Sequence, residues 1–546
     1  MLAWLKNYRR ADLAGDVGAG IVVAMMMIPQ GMAYALVAGL PPVVGLYASI
    51  VPPLLYALFG TSSTQSVGPM AIISLMTASA LAPLAAAGGA LYAVLAAQLA
   101  ALSGAVLLAC GLLRIGFLAN FFSRPVMNGF TLGSAVVIAL GQVDTLLGAP
   151  FPYWHGPSAA LGLAGIAFLL AARRWLAPVL RRLGLAPGAA DIGARLAPML
   201  LVLGSVLLVA LLHLDAGGMR TIGHVPAGLP HLNTMVSGEH WQQLLKPALL
   251  IGFMSFLIAM SGAQTLAVKR AEKLHTDREL VALGAANIGS ALSGGFPVTG
   301  SLSRSAVNFA AGANTQLAGI ITAALLACAL VLPTGWLALL PLPVLAATII
   351  VAVLGMLEWN TLRTSWRYDR ADALALLATA GGVLLLGVEA GVVLGLVLSL
   401  GAMIWRESRP HIALLGRIAG TEHFRNVDRY AVETAPGLLL LRVDAGLFFG
   451  NVEAVKGRIE EELAAHADTR DLVLVLSAVN AIDTSALFGL IDLNHTLGQR
   501  GVKLHFAEVK GPVMDRLRTS ALVEQLHGHI FLSTANAWDA LTHYNT

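Results

Sequence analysis

Residues Ser293–Asn308 read "SGGFPVTGSLSRSAVN" and set Arg304 among glycines, hydroxyls and a proline, with long apolar runs on both sides. Gly294, Gly295, Pro297 and Gly300 do not sustain a continuous helix, so the stretch predicts a broken helix that restarts near Ser301. A passage of the same syntax begins at Gly60, where "GTSSTQSVGPMAIISLMTASALA" passes through Gly68 and Pro69 into a helical run. Non-helical backbone at membrane depth is tolerated only where protein or a cavity surrounds it, because lipid satisfies no N–H or C=O group. Two interrupted segments in corresponding halves point to a transporter of inverted repeats with its site near the bilayer midplane.

Composition agrees with a membrane setting. Of 546 residues, 57% are hydrophobic and 12% charged, against about a quarter charged in a soluble domain. An ordinary soluble enzyme is excluded. Runs such as "ALLIGFMSFLIAM" and "AGVVLGLVLSLGAMIW" approach the roughly 20 residues that cross a bilayer as a helix. Hydropathy brackets the spanning or partly spanning segments between Asp12 and Arg406 at about ten to fourteen. Lys6, Arg9 and Arg10 precede the first run, and Gln30–Ala38 carries no cleavage signature, so a retained first helix is expected rather than a signal peptide. Lys and Arg also collect at Arg173/Arg174/Arg181/Arg182, Lys269/Arg270/Lys273/Arg278, Arg363/Arg367/Arg370 and Arg406/Arg409. The connection from Leu214 to Lys246 carries only Arg220 and Lys246, which places it outside and both termini in the cytoplasm, with an even number of crossings. These clusters account for the net charge of +4 without nucleic acid. Cys110 and Cys328 sit in apolar runs and read as small packing residues.

After Trp405 the chain turns polar. A transmembrane domain over 1–406 is expected to give way to a linker over 407–436 and a small α/β domain over 437–546. In that domain "GLLLLRV", "DLVLVLSA" and "VKLHFAEV" read as strands. Val452–Ala465, Ser485–Arg500 and a run from Gly511 read as helices, with a last strand and helix to Tyr544. It holds no phosphate-cradling loop, nucleophile elbow or metal motif, so no enzyme activity and no cofactor are expected.

The broken helices favour an anion. Two helix starts near the centre direct unpaired N–H groups and positive dipole ends into one space. Arg304 adds a full charge there, beside Ser301 and Ser303; the competing reading has it snorkel to an interface or pair with an acid. In the first run, Gln30 and Tyr34 stand four apart after Pro29 and share a helical face, which suits either a cavity lining or packing about a kink. Glu389 and Asp144 read as helix-start acids. His213, His224, His231 and His240 lack ligand spacing, so no metal is expected.

At these residues the chain resembles the sulfate permease (SulP) family. The pieces that carry the resemblance are "IPQGMAYALVAGLPPVVGLYASIVPPLLYALFGTS", "SVGPMAIISLM", "DRELVALGAANIGSALSGGFPVTGSLSRSAVNFAAGA" and "PHIALLGRIAGTEHFRN". The C-terminal region resembles a STAS (sulfate transporter and anti-sigma factor antagonist) domain. The resemblance implies about fourteen segments in two inverted repeats of seven, near 12–214 and 245–406. A core module would hold the third and tenth segments as half-helices and move elevator-like against a gate module. It implies an anion site of Gln30 and Tyr34, the backbone at Gly68, Pro69 and Met70 with Ala71, and Ser301, Leu302, Ser303 and Arg304. A homodimer in the bacterial inner membrane, with a cytoplasmic STAS domain open to a protein partner, is implied as well. Sulfate is the first expectation, with bicarbonate, chloride or a dicarboxylate as alternatives. Many relatives carry acids where this chain reads Gln30 and Ile258, and their absence weighs against simple cation symport and leaves exchange, uniport or an unusual ion site open. In "AVNAIDTSALFGLIDL", Ser485 falls where anti-sigma factor antagonists accept phosphate, while Asp483, Thr484 and Ser485 also suit a helix cap. Two other classes remain: a membrane-anchored anion sensor signalling through the STAS domain, and a nucleobase carrier, against which the arginine and serines of the tenth segment stand.

Overall fold

The computed structural model describes residues 3–6, 8–117, 123–230, 240–332 and 335–542. His231, part of the 214–246 connection and Tyr544 lie outside the described residues. The chain divides into two compact units, Met1–Ser399 and Leu400–Thr546.

In the first unit, eight described helices are long and apolar enough to span a bilayer, and Pro187–Arg195 with Ala197–Leu212 makes a ninth, bent by 53°. Five shorter helices complete two sets of seven. The first set is α1 (Asp12–Val37), α2 (Pro42–Phe59), α3 (Ala71–Leu81), α4 (Ala90–Leu112), α5 (Arg124–Gly141), α6 (Gly156–Ala171) and α7 (Ala197–Leu212). The second is α8 (Trp241–Arg270), α9 (Thr276–Leu292), α10 (Leu302–Ala310), α11 (Leu317–Val331), α12 (Leu342–Leu354), α13 (Arg370–Leu386) and α14 (Val388–Ser408). An odd number of crossings per set makes the repeats inverted. With fourteen crossings the five basic clusters of the sequence all fall on one side, and the 214–246 connection falls on the other.

The packing groups these helices. Helix α9 lies on α4 and α2, α11 on α1, and α8 on α4; separately, α13 lies on α5 and α12 on α6. Where α4 crosses α9, a Cβ on Gly104 would come within 2.8 Å of the Gly284 carbonyl oxygen, so the two backbones touch. The two bodies match the expected core and gate modules.

The half-helices follow from the breaks. Helix α9 ends at Leu292, and Gly294 takes φ +69°, a left-handed conformation that favours glycine. The chain then runs extended to β2 (Thr299–Gly300), which pairs antiparallel with β1 (Val67–Gly68), Val67 opposite Gly300 and Gly68 opposite Thr299. Each strand leads into its half-helix, β1 into α3 and β2 into α10. Glu389 and Asp144 lie in first turns of helices, as read from the sequence.

In the second unit, β3 (Ile412–Arg417), β4 (Phe424–Asn426), β5 (Leu438–Val443), β6 (Asp471–Val475), β7 (Lys503–Ala507) and β8 (Ile530–Phe531) form one sheet ordered β4-β3-β5-β6-β7-β8. From β5 to β8 the pairing is parallel, and β3 is antiparallel to both its neighbours. Helices α15 (Val452–Ala465), α16 (Thr484–Gln499), α17 (Gly511–Leu517), α18 (Ala521–Gln525) and α19 (Thr534–Thr542) complete the unit. Along β5, Leu439 and Leu441 join one core while Leu438 and Leu440 join another, as period-two alternation requires. The expected linker over 407–436 is corrected here: it contains β3 and β4. Ala413, Leu415 and Phe424 enter the second core, which α19 closes from the far end of the chain with Ala537. That partner lies more than a hundred residues away, so nothing local marked these residues as strands.

Candidate anion site

Arg304 is 2% exposed in the first turn of α10. Its Nη1 donates to the Pro69 carbonyl at 2.8 Å, so it bridges from α10 to the extended chain that opens α3. Its Nε and Nη2 are buried without a hydrogen-bond partner in the protein. Among the described residues, the ionisable side chain that interacts with it is the Tyr34 phenol. An interior guanidinium with two donor groups unengaged is costly unless an anion meets them.

The surroundings supply further donors. Met70, the N-cap of α3, is extended with φ −143° and ψ 141° and offers no side-chain cap, so the first N–H groups of α3 remain unpaired within the helix. Ser301 caps α10 by accepting from the Arg304 N–H. The Ser301 N–H donates to the Ser66 carbonyl at 3.0 Å, which extends the β1–β2 pairing by one bond. The Ser66 N–H donates to Ser305 Oγ at 2.9 Å. These bonds bring both helix starts to one place with their dipoles toward it.

Of the residues named from sequence, Gly68, Pro69, Met70, Ala71, Ser301 and Arg304 come together at this crossing. A Cβ on Gly68 would stand 3.5 Å from Arg304 Nη2. Tyr34 is buried on α1, and Gln30 is half-buried on the same helix. Leu302 and Ser303 are exposed, and Leu302 lies against Gly262 of α8. Ile258 is on α8, where no acid replaces the absent one.

Sequence reasoning gave no role to the residues that hold the crossing. Asn287 of α9 accepts from the Val298 N–H at 2.9 Å and donates to the Val298 carbonyl at 3.0 Å. Ser290 Oγ donates to the Phe296 carbonyl at 2.6 Å, and Thr299 Oγ1 to the Ser255 carbonyl at 2.5 Å. Gln65, Asn308 and Gln316 each reach a backbone carbonyl across the site's flank. The available signal was slight: one amide, Asn287, in the run of α9, and the amides of Gln65, Asn308 and Gln316 near the two breaks.

A profile of the Sulfate permease family matches residues 13–379, two thirds of the chain. The chain belongs to the sulfate permease family. The STAS domain profile matches residues 429–537. Among relatives, the family member is 35% identical over 555 residues to a probable sulfate transporter of Mycobacterium tuberculosis, covering 98% of this chain and 96% of that one. It is 33% identical to the chloroplastic sulfate transporter 4.1 of Arabidopsis thaliana, covering 95% and 79%. Its fold matches murine Solute Carrier 26 family member A9, an anion transporter in the inward-facing state, with a TM-score of 0.89 at 20% identity over 100% of this chain and 94% of that one. The transmembrane domain of a cyanobacterium bicarbonate transporter, BicA, matches 70% of this chain and 98% of its own with a TM-score of 0.61 at 22% identity. Membership makes this chain a membrane transporter with a C-terminal STAS domain.

Proposed function

We propose that this family member carries small anions, sulfate first among them, across the cytoplasmic membrane by secondary active transport, with Arg304 as the charge that holds the anion. The observation that carries this reading is the buried guanidinium whose Nε and Nη2 lack protein partners at the meeting of two half-helix starts. An oxyanion there would accept from those nitrogens and from the first N–H groups of α3 and α10. Gln30 and Tyr34 would close the pocket from α1, with Gly68, Pro69, Met70 and Ala71 on one side and Ser301, Leu302 and Ser303 on the other. Sulfate takes precedence over bicarbonate, chloride or a dicarboxylate because the curated relatives are sulfate transporters.

Both half-helices belong to the body built on α1, α2, α4, α8, α9 and α11. Elevator-like movement of that body against α5–α7 and α12–α14 would present the anion to each side in turn. The basic clusters set the cytoplasmic side, so both termini and the STAS domain are cytoplasmic. The STAS domain supports a homodimer and receives a cytoplasmic protein partner. Asp483 caps α16 by accepting from the Ala486 N–H at 2.8 Å, which leaves the exposed Ser485 hydroxyl open to phosphorylation.

The test is radiolabelled uptake into liposomes holding the purified protein. Arg304→Ala removes a buried charge that its ligand pairs with, a loss of about 3 kcal/mol or roughly a hundredfold in uptake at low sulfate. Undiminished uptake by Arg304→Ala overturns the site. A panel of sulfate, bicarbonate, chloride and a dicarboxylate decides the substrate.

A further inference from the structure

Beside the anion site lies a small, water-sized chamber of mixed apolar and polar lining, between α1, α2, residues 63–67, α10 and α11, to which Gln65, Asn308 and Gln316 contribute their amides. These three amides are 6%, 4% and 6% exposed. Their side-chain nitrogens donate to the carbonyls of Ala259 at 3.2 Å, Thr64 at 3.0 Å and Ser62 at 3.1 Å respectively. Those bonds fix the amide orientations, since turning any of them over would set oxygen against oxygen. Gln65 Oε1, Asn308 Oδ1 and Gln316 Oε1 are thereby left buried without a hydrogen-bond donor in the protein. Native interiors carry few such atoms, and three on one chamber call for a ligand.

The chemistry of that ligand follows from the lining. Of the lining hydroxyls, those of Tyr56, Ser63 and Thr322 are engaged by Glu279, Glu272 and the Gly20 carbonyl, and the Ser66 hydroxyl adds one more oxygen beside the amides. What the amides present is therefore acceptors, which repel an anion and suit a hard cation, the role that neutral oxygens near unwound helices play in transporters. Among the described residues no carboxylate lines the chamber. A divalent ion would be left without compensating charge, so the ion is monovalent.

We propose that Gln65 Oε1, Asn308 Oδ1 and Gln316 Oε1 form a binding site for a monovalent cation such as sodium, coupled to the anion at Arg304; the coupling rests on the anion reading above. Asn308 follows Arg304 by four residues on α10, about 6 Å along the axis. The Arg304 charge disfavours the cation until an anion neutralises it, and by linkage the cation then strengthens anion binding by the same factor. This supplies cation coupling in a chain that has Gln30 and Ile258 at the two positions considered for coupling acids.

The experiment uses the full chain, with thermal unfolding in sodium gluconate against choline gluconate, each with and without sulfate, and sulfate uptake in the same salts. Sodium raises Tm, more so with sulfate present, and lowers the KM for sulfate by about tenfold, within the usual range of coupling between sites. Gln316→Leu removes the sodium-dependent part of both readouts. Gln316→Glu, which keeps an oxygen in place and adds charge, shifts the sodium dependence to lower concentration. A sodium-dependent Tm shift that persists in Arg304→Ala and is lost in Gln316→Leu supports the cation site even if the anion reading fails. Identical Tm and uptake in sodium and choline, in protein that still takes up sulfate, overturns the cation site and leaves the anion reading standing; the chamber then holds water only.

Discussion

At the scale of single residues, the site depends on two glycines for different reasons. A Cβ on Gly300 would lie 1.5 Å from Gln65 Nε2 and 3.1 Å from Ala259 Cβ. The Gln65 amide is tied to the Ala259 carbonyl, so it has nowhere to retreat. Gly300→Ala therefore breaks the β1–β2 crossing, and we expect a Tm loss of several degrees together with loss of uptake, from overpacking of about 1–3 kcal/mol. A Cβ on Gly68 meets the flexible end of Met27 at 2.5 Å, and it stands 3.5 Å from Arg304 Nη2, where the anion would sit. Gly68→Ala should leave Tm nearly unchanged and raise the KM for sulfate. Equal effects of the two substitutions on Tm would show that the crossing does not depend on the tight fit of Gly300 against the Gln65 amide.

At the scale of elements, the extended lead-in to α10 is positioned by α9. Asn287 pairs with both backbone groups of Val298, as a neighbouring strand would. Asn287→Ala leaves two buried backbone groups unpaired at about 1–3 kcal/mol each. The expected result is a lower Tm, with a larger fractional loss of uptake than a surface substitution on α9 gives. The half-helices themselves were legible in the sequence, because Gly68-Pro69 and the Gly294–Gly300 run announce breaks by backbone chemistry alone. Arg304 was legible as the charge between them. Their mutual pairing was not, since β1 and β2 are two residues each and lie over two hundred residues apart. Nor was the role of Asn287, because one amide in "AANIGSAL" carries no periodic signal. The count of segments could only be bracketed from hydropathy, since five of the fourteen helices are shorter than a membrane span.

At the scale of the whole molecule, the chain closes its second unit with residues that look like a linker. The match to the STAS profile begins at residue 429, after β3 and β4. Yet Ala413 is 1%, Leu415 4% and Phe424 8% exposed. The Phe424 ring lies 5.8 Å from that of Trp538 on α19, so the start and end of this unit pack on each other. Ile412 and Leu414 pack on the first core while Ala413 and Leu415 enter the second, so β3 is a short apolar run with no polar alternation to mark it. A fragment beginning at residue 409 retains both strands, whereas one beginning at residue 437 exposes the face of β5 and the apolar side of α19. Losing the burial of Leu415 and Phe424 removes about 4 kcal/mol at roughly 2 kcal/mol for each side chain. That is a large part of the 5–15 kcal/mol that holds a typical domain together. With a urea m-value of about 2 kcal/mol per molar for a small domain, the midpoint of the shorter fragment should fall by about 2 M, and the fragment should bind a hydrophobic dye. Equal urea midpoints for the two fragments would show that β3 and β4 rest on the sheet without stabilising it, and that the unit begins at β5 after all.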